Sequence, residues 1–246
     1  MGREALPSDA GYSDAGYVVA APARASLAVQ GTALRFPVRR IYCVGRNYAE
    51  HAREMGGDPE RAPPFFFAKP ADAIVEHGAS VPLPPRTASF HHEVELVVAL
   101  AGGGRALAPA QALQCVYGYA VGIDFTRRDL QRLASAAGLP WETSKGFDRS
   151  AAVGTLRPAS LGHVARGRIW LRVRDQLRQS ADVAQMTWAV PEILAELSTL
   201  FELAPGDLIF TGTPAGVGPL LPGDTVTCGI EGLSELQVSI AAPLQG

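Results

Sequence analysis

At 246 residues, with 47% hydrophobic and 19% charged side chains, the chain suits one large globular domain or two small ones. A net charge of −2 without a long basic block argues against a nucleic-acid partner. No uncharged apolar run approaches the ~20 residues that a bilayer span needs, so no membrane partner is expected either.

Residues 8–12, Ser-Asp-Ala-Gly-Tyr, recur at 13–17 in a small-residue, turn-prone stretch. We read 1–24 as a mobile tail and 25–246 as a single domain. The start lacks a basic segment followed by an apolar one, so a cytoplasmic protein is expected. Ala25 to Val38 reads as a hairpin, with Leu27, Val29, Leu34 and Phe36 around a turn at Gln30-Gly31. Ile41 to Val44 is a short strand ended by Gly45, after which Asn47 is placed to cap a helix running to about Met55. Further strands are expected at 73–75, 95–100, 117–123, 169–173, 208–210, 225–230 and 236–240. Pro109 opens a short helix, Thr126 caps one over 127–137, and Val190 to Phe201 has helical spacing with Ile193, Leu194, Leu197 and Leu200 on one side. Strands and helices do not alternate strictly, which points away from a doubly wound sheet and toward an α+β fold with a β-rich core. Cys43, Cys115 and Cys228 stand far apart, as small core residues would rather than a disulfide or zinc framework.

Three carboxylates dominate the chemistry. Glu93 and Glu95 lie two apart in His-Glu-Val-Glu-Leu-Val-Val, so strand alternation puts them on one face, and Asp124 ends a second apolar strand. Acids crowded at the ends of buried strands repel one another unless a cation lies between them, and hard divalent metals prefer such oxygen donors. On this reasoning Asp124→Ala would lose metal and still fold. At most one of the adjacent His91 and His92 can join the acids. His51 and Glu54, three apart on a helix, form either a water-activating base with its orienting partner or a solvated ion pair. Arg128 and Gln131 share one face of the helix after Asp124, and Arg suits capture of a carboxylate. Lys145 stands in a turn-like segment and by itself reads as a surface lysine. The run Phe210 to Gly218 allows close backbone approach but lacks the ending of a phosphate loop.

In order along the chain, Gly45-Arg46-Asn47-Tyr48 with His51 and Glu54, Lys69-Pro70, Glu93-x-Glu95, Asp124 with Arg128 and Gln131, Lys145-Gly146-Phe147-Asp148, and Thr211-Gly212-Thr213-Pro214 resemble the fumarylacetoacetate hydrolase family. The resemblance covers roughly residues 38–242. Runs 41–48 and 127–131 are most similar to its fumarylpyruvate hydrolases of gentisate breakdown. It implies a β-rich mixed-sheet core with a short helical lid, a Mg²⁺ or Mn²⁺ cofactor, and a homodimer. It assigns Glu93, Glu95 and Asp124 to the metal, His51, Glu54 and Lys145 to catalysis, and Arg128, Gln131 and Thr213 to substrate. The implied reaction is hydrolysis of the C–C bond of a 2,4-dioxo acid such as 3-fumarylpyruvate. Acylpyruvate hydrolysis, oxaloacetate decarboxylation and non-catalytic binding of an oxo acid are the alternatives. Relatives carry Asn-Gly where Asp175-Gln176 stands, so the hairpin there is expected to differ, and a substrate contact from Gln179 is left open.

Overall fold

All seven residues of the strand Val94–Leu100 are buried. Leu96, Val98 and Leu100 enter one apolar cluster, and Val97 and Ala99 enter a second on the opposite face. The strand therefore reads as a continuous apolar run, the signature of a strand covered on both sides. The computed structural model describes residues 17–54 and 62–244. Met55 and the duplicated segment, except Tyr17, lie outside them. Residues 17–24 are exposed and irregular.

Val94–Leu100 sits inside a mixed sheet whose path runs Phe65–Lys69, Arg40–Gly45, Asp207–Phe210, Val94–Leu100, Val116–Asp124, Ala151–Val153 and Ile74–Val75. Asp207–Phe210 pairs parallel to Arg40–Gly45 and antiparallel to Val94–Leu100. A second sheet, ordered Gln176–Asp182, Arg168–Val173, Thr225–Ile230, Leu236–Ala241 and Ser80–Pro82, packs across the larger cluster. The smaller cluster is roofed by the N-terminal hairpin, in which Ser26–Ala28 pairs with Arg35–Pro37. The fold is α+β, with a curled mixed-sheet core and few helices.

Five α-helices occur among the described residues: α1 (Ala49–Glu54), α2 (Pro109–Gln114), α3 (Arg128–Ala137), α4 (Glu142–Lys145) and α5 (Val190–Leu200). Several local expectations need correction. Leu34 and Leu200 point outward, at 78% and 58% exposure, while Leu27, Ile193, Leu194 and Leu197 are buried. Asn47 does not cap α1: its amide bonds Trp188 and the Thr211 carbonyl instead. Thr126 does not cap α3 either, since its hydroxyl faces back to the Asp124 carbonyl and the helix begins after Arg127. The turn of the 168–182 hairpin, where a difference from relatives was expected, falls at Arg174-Asp175, with Arg174 at φ 54°. Lys145 belongs to α4 and is buried, not a surface residue.

Candidate active site

Two central strands build the floor. Val94–Leu100 and Val116–Asp124 pair antiparallel, with Glu95 opposite Gly122 and the Asp124 N–H donating to the Glu93 carbonyl at 2.8 Å. A Cβ on Gly122 would stand 2.6 Å from Val97 Cγ2 and 3.0 Å from the Ala152 carbonyl. Glycine is what lets the strands close at this point. Glu93, Glu95 and Asp124 are all buried, and each offers a carboxylate oxygen within 4.8 Å of the others.

Cations crowd around two of the three acids. Lys145 Nζ lies 2.7 Å from Glu93 Oε2 and 2.8 Å from Asp124 Oδ2. Lys69 Nζ lies 2.8 Å from Asp124 Oδ1 and also donates to the Phe125 and Lys145 carbonyls. Arg128 donates through Nη2 to Glu93 and through Nη1 to Gln131. Burial opposes ionisation of Glu93, but Lys145, Arg128 and His51 outweigh it and hold this carboxyl well below its usual range. Burial also opposes charge on Lys145, and Asp124 and Glu93 more than compensate, raising its pKa. Glu95 goes the other way. Burial first, then Asp124 and Glu93, push its carboxyl well above the ordinary value. Its one hydrogen bond among the described residues is from the Gly212 N–H at 2.7 Å. A carboxylate in this position calls for a cation. Three converging oxygen donors, one of them without an ion-pair partner among the described residues, fit Mg²⁺ or Mn²⁺.

The lid stands over this floor. His51 is buried on α1, with Nδ1 3.2 Å from Glu54 Oε2, which leaves Nε2 for the cavity that His51 lines. Both Glu54 oxygens also accept from the Gly216 N–H at 3.2 Å. The pair is thus held to the glycine-rich turn and is not a free surface ion pair. Gly212 opens that turn at φ 95°, and a Cβ there would lie 2.6 Å from Asn47 Cβ. Asn47, the residue before Tyr48 and α1, therefore packs against the same turn that holds Glu95. Thr213 donates to the Val94 carbonyl at 2.8 Å and accepts from Gln179 Nε2 at 2.8 Å. Gln179 also donates to the Pro214 carbonyl, and its oxygen lies 3.0 Å from His92 Nδ1 and accepts from the Val94 N–H. Its amide capacity is spent inside the protein, so Gln179 positions Thr213 and has no group left for substrate. His92, whose ring pKa burial lowers to about 4, faces Gln179 and not the acids.

A cavity of about 180 Å³ brings together His51, Glu93, Glu95, Arg128, Gln131, Lys145 and Thr213. Glu54 stands behind His51, and Asp124 lies beneath Lys145. Gln131 keeps its amide nitrogen free of hydrogen bonds among the described residues, while its oxygen holds Arg128. Sequence reasoning gave no role to Lys69, Arg46, Arg132 or Trp141, although Lys69 carries a charge at the end of an aromatic strand, which is an unusual place for one.

The family description "Fumarylacetoacetate (FAA) hydrolase C-terminal" matches residues 40–241. A fumarylpyruvate hydrolase from Ralstonia sp is 43% identical over 176 residues, covering 72% of this chain and 92% of that protein. A mitochondrial oxaloacetate decarboxylase from Dictyostelium discoideum is 38% identical, covering 82% of this chain and 94% of that one. The crystal structure of the Pseudomonas aeruginosa fumarylpyruvate hydrolase, in complex with Mn²⁺ and pyruvate, superposes with a TM-score of 0.90 at 50% identity, covering 92% and 99% of the two chains. A carboxylate floor under a His–Glu lid, in a fold shared along nearly the whole chain, makes this protein a member of the fumarylacetoacetate hydrolase family.

Proposed function

We propose that the protein is a metal-dependent hydrolase that cleaves 3-fumarylpyruvate, a 2,4-dioxo acid, to fumarate and pyruvate. One observation carries this reading: Glu93 and Glu95, clustered with Asp124 beneath them, share a cavity with a histidine held by its own carboxylate. Lys69, Lys145 and Arg128 balance the three acids charge for charge. A divalent ion then leaves a surplus of positive charge that suits a dicarboxylate substrate. When bound, Mg²⁺ or Mn²⁺ supplies Lewis-acid polarisation of the α-keto acid end.

The chain's own groups do the rest. His51 Nε2 takes a proton from water, while Glu54 fixes Nδ1 and stabilises the charged ring. The oxygen of that water ends in the new fumarate carboxylate. The C–C bond breaks toward pyruvate, which takes up a proton at its methylene carbon. The Lys145 ammonium faces the negative charge that develops on the pyruvate fragment. Arg128 and Gln131 orient a substrate carboxylate, and Thr213 fixes the wall opposite. The resemblance of residues 41–48 and 127–131 further supports a cytoplasmic homodimer acting in gentisate breakdown.

The Dictyostelium relative favours a second reading, oxaloacetate decarboxylation, which needs the floor but no water-activating base. Turnover of 3-fumarylpyruvate, acetylpyruvate and oxaloacetate with Mg²⁺, before and after chelation, tests both. Metal-dependent release of fumarate and pyruvate is expected. Exclusive turnover of oxaloacetate would replace the hydrolase reading, and no turnover at all would leave an oxo-acid-binding protein.

A further inference from the structure

Arg128, tied to Glu93 and Gln131 at the floor, is placed to serve the carboxylate beside the metal, so a carboxylate at the far end of a long substrate calls for a different cation. Two arginines remain on the cavity wall. Arg46 and Arg132 both line it, both are exposed, and neither has a carboxylate partner among the described residues. Arg46 adopts φ 57°, a left-handed conformation that non-glycine residues rarely take. Strain of this kind persists where the surroundings impose it and points to a functional position.

The same cavity has an aromatic wall, built from Trp141 and Phe67. Trp141 sets its ring centroid 5.2 Å from Phe65 and 5.7 Å from Phe67, and its Nε1 donates to Ser135 Oγ at 3.0 Å. The Arg46 guanidinium sits 6.0 Å from the Phe65 ring centroid, and Lys145 Nζ 5.2 Å from that of Phe67. A second cavity of about 520 Å³ adjoins the first and shares Arg46, Phe67, Ser135 and Trp141 with it. The one carboxylate on that outer cavity among the described residues is Glu142, which does not line the inner one. An aromatic wall in a cavity shared with two guanidiniums that have no carboxylate partner among the described residues matches a planar, conjugated chain that ends in a carboxylate.

We propose that Arg46 and Arg132 form the subsite for the distal carboxylate of the substrate, with Trp141 and Phe67 as the platform for the conjugated chain leading to it. The assignment rests on the dioxo-acid reading above and makes the substrate class narrower: a dicarboxylate over a methyl-terminated acylpyruvate.

The test compares 3-fumarylpyruvate with acetylpyruvate, which differ at the distal end, using the Mg²⁺-loaded full-length protein. Arg46→Gln, Arg132→Gln and the double variant are measured for kcat and KM on each. A charge-assisted hydrogen bond is worth ~1.5–3 kcal/mol, so each substitution should lower the kcat/KM ratio of the two substrates by about ten-fold or more. The loss should fall chiefly on KM for 3-fumarylpyruvate. An unchanged ratio in the double variant overturns the subsite, as does an equal loss on both substrates. Should the parent protein cleave neither compound, the hydrolase reading falls on its own. The subsite is then judged by calorimetric affinity for the same two compounds: a preference for 3-fumarylpyruvate that disappears in the double variant supports it, and its absence in the parent or persistence in the variant overturns it.

Discussion

The floor and the lid of the site hold their charges by opposite means. Glu95 and Asp124 stand on strands buried on both faces. Glu93 sits in the break between Phe90–His92 and Val94–Leu100, off the single strand expected to carry both glutamates. Each of the lysines beside them is tied to at least one acid. His51 and Glu54 ride on the six-residue helix α1, anchored through Asn47 at one side and through Gly216 at the other. In the floor, buried acids and cations each need the other's charge. The lid is held by a few polar contacts, which a modest change can undo. On the proposed function, one region carries stability and chemistry together, and the other carries chemistry almost alone.

Substitutions can break that comparison. On the floor, Asp124→Ala should lose activity and also fold poorly, contrary to the expectation from repulsion between acids. The reason is that Asp124 is the partner of both Lys69 and Lys145, and removing one member of a buried ion pair costs ~3–5 kcal/mol. Thermal denaturation decides it: a Tm close to the parent's would mean that repulsion dominates. Chelation should abolish turnover without unfolding the protein, and Mn²⁺ or Mg²⁺ should restore it. On the lid, His51→Ala should lower kcat by ~10²–10⁴ with Tm and metal content unchanged. Glu54→Gln should cost less, since an amide still orients the ring. Equal kcat values for parent and His51→Ala would reduce the pair to a structural contact.

Smaller effects sharpen the boundary between the two regions. Gln179→Leu leaves the Val94 N–H and the Pro214 carbonyl without their partner, at ~1–3 kcal/mol for each buried group left unpaired. Tm should drop by several degrees, and KM should rise because Thr213 loses its support. A change in kcat with Tm intact would instead make Gln179 a direct participant. Farther from the metal-binding end, the Tyr119 phenol is pushed up to about 12, mainly by burial. A tyrosine in the unfolded chain titrates near ~10, so this contribution to stability is full below pH ~10 and fades as pH rises through about 12. Urea midpoints between pH 9 and 11 should fall less steeply in Tyr119→Phe than in the parent.

The floor strands were legible because apolar runs of that length, ended by acids, leave few alternatives. The hairpin over 25–38 and helix α5 were legible from period alone. Lys145 was not, because a lysine is buried only when tertiary structure brings it acids, here Glu93 and Asp124 from other segments. The same holds for Lys69. Asn47 and Thr126 were misread as helix caps because capping is a local rule, and both side chains are claimed elsewhere. Two- and three-residue strands such as Phe90–His92 and Gly218-Pro219 pair only with each other and with Thr126-Arg127, so nothing in their own sequence announces them.

The doubly covered strand at 94–100 has a consequence for how the protein can vary. Most strands have a wet side on which substitutions pass unnoticed. Here Val97 and Ala99 fill one interior as fully as Leu96 and Val98 fill the other. A saturation library across these positions should show no odd–even rhythm, only a block of intolerance seven residues long. A slip of one residue would trade the occupants of both interiors and turn Glu95 away from Asp124. Packing on two sides thus guards the register on which the acids depend, and variation in substrate choice is left to the residues of the rim.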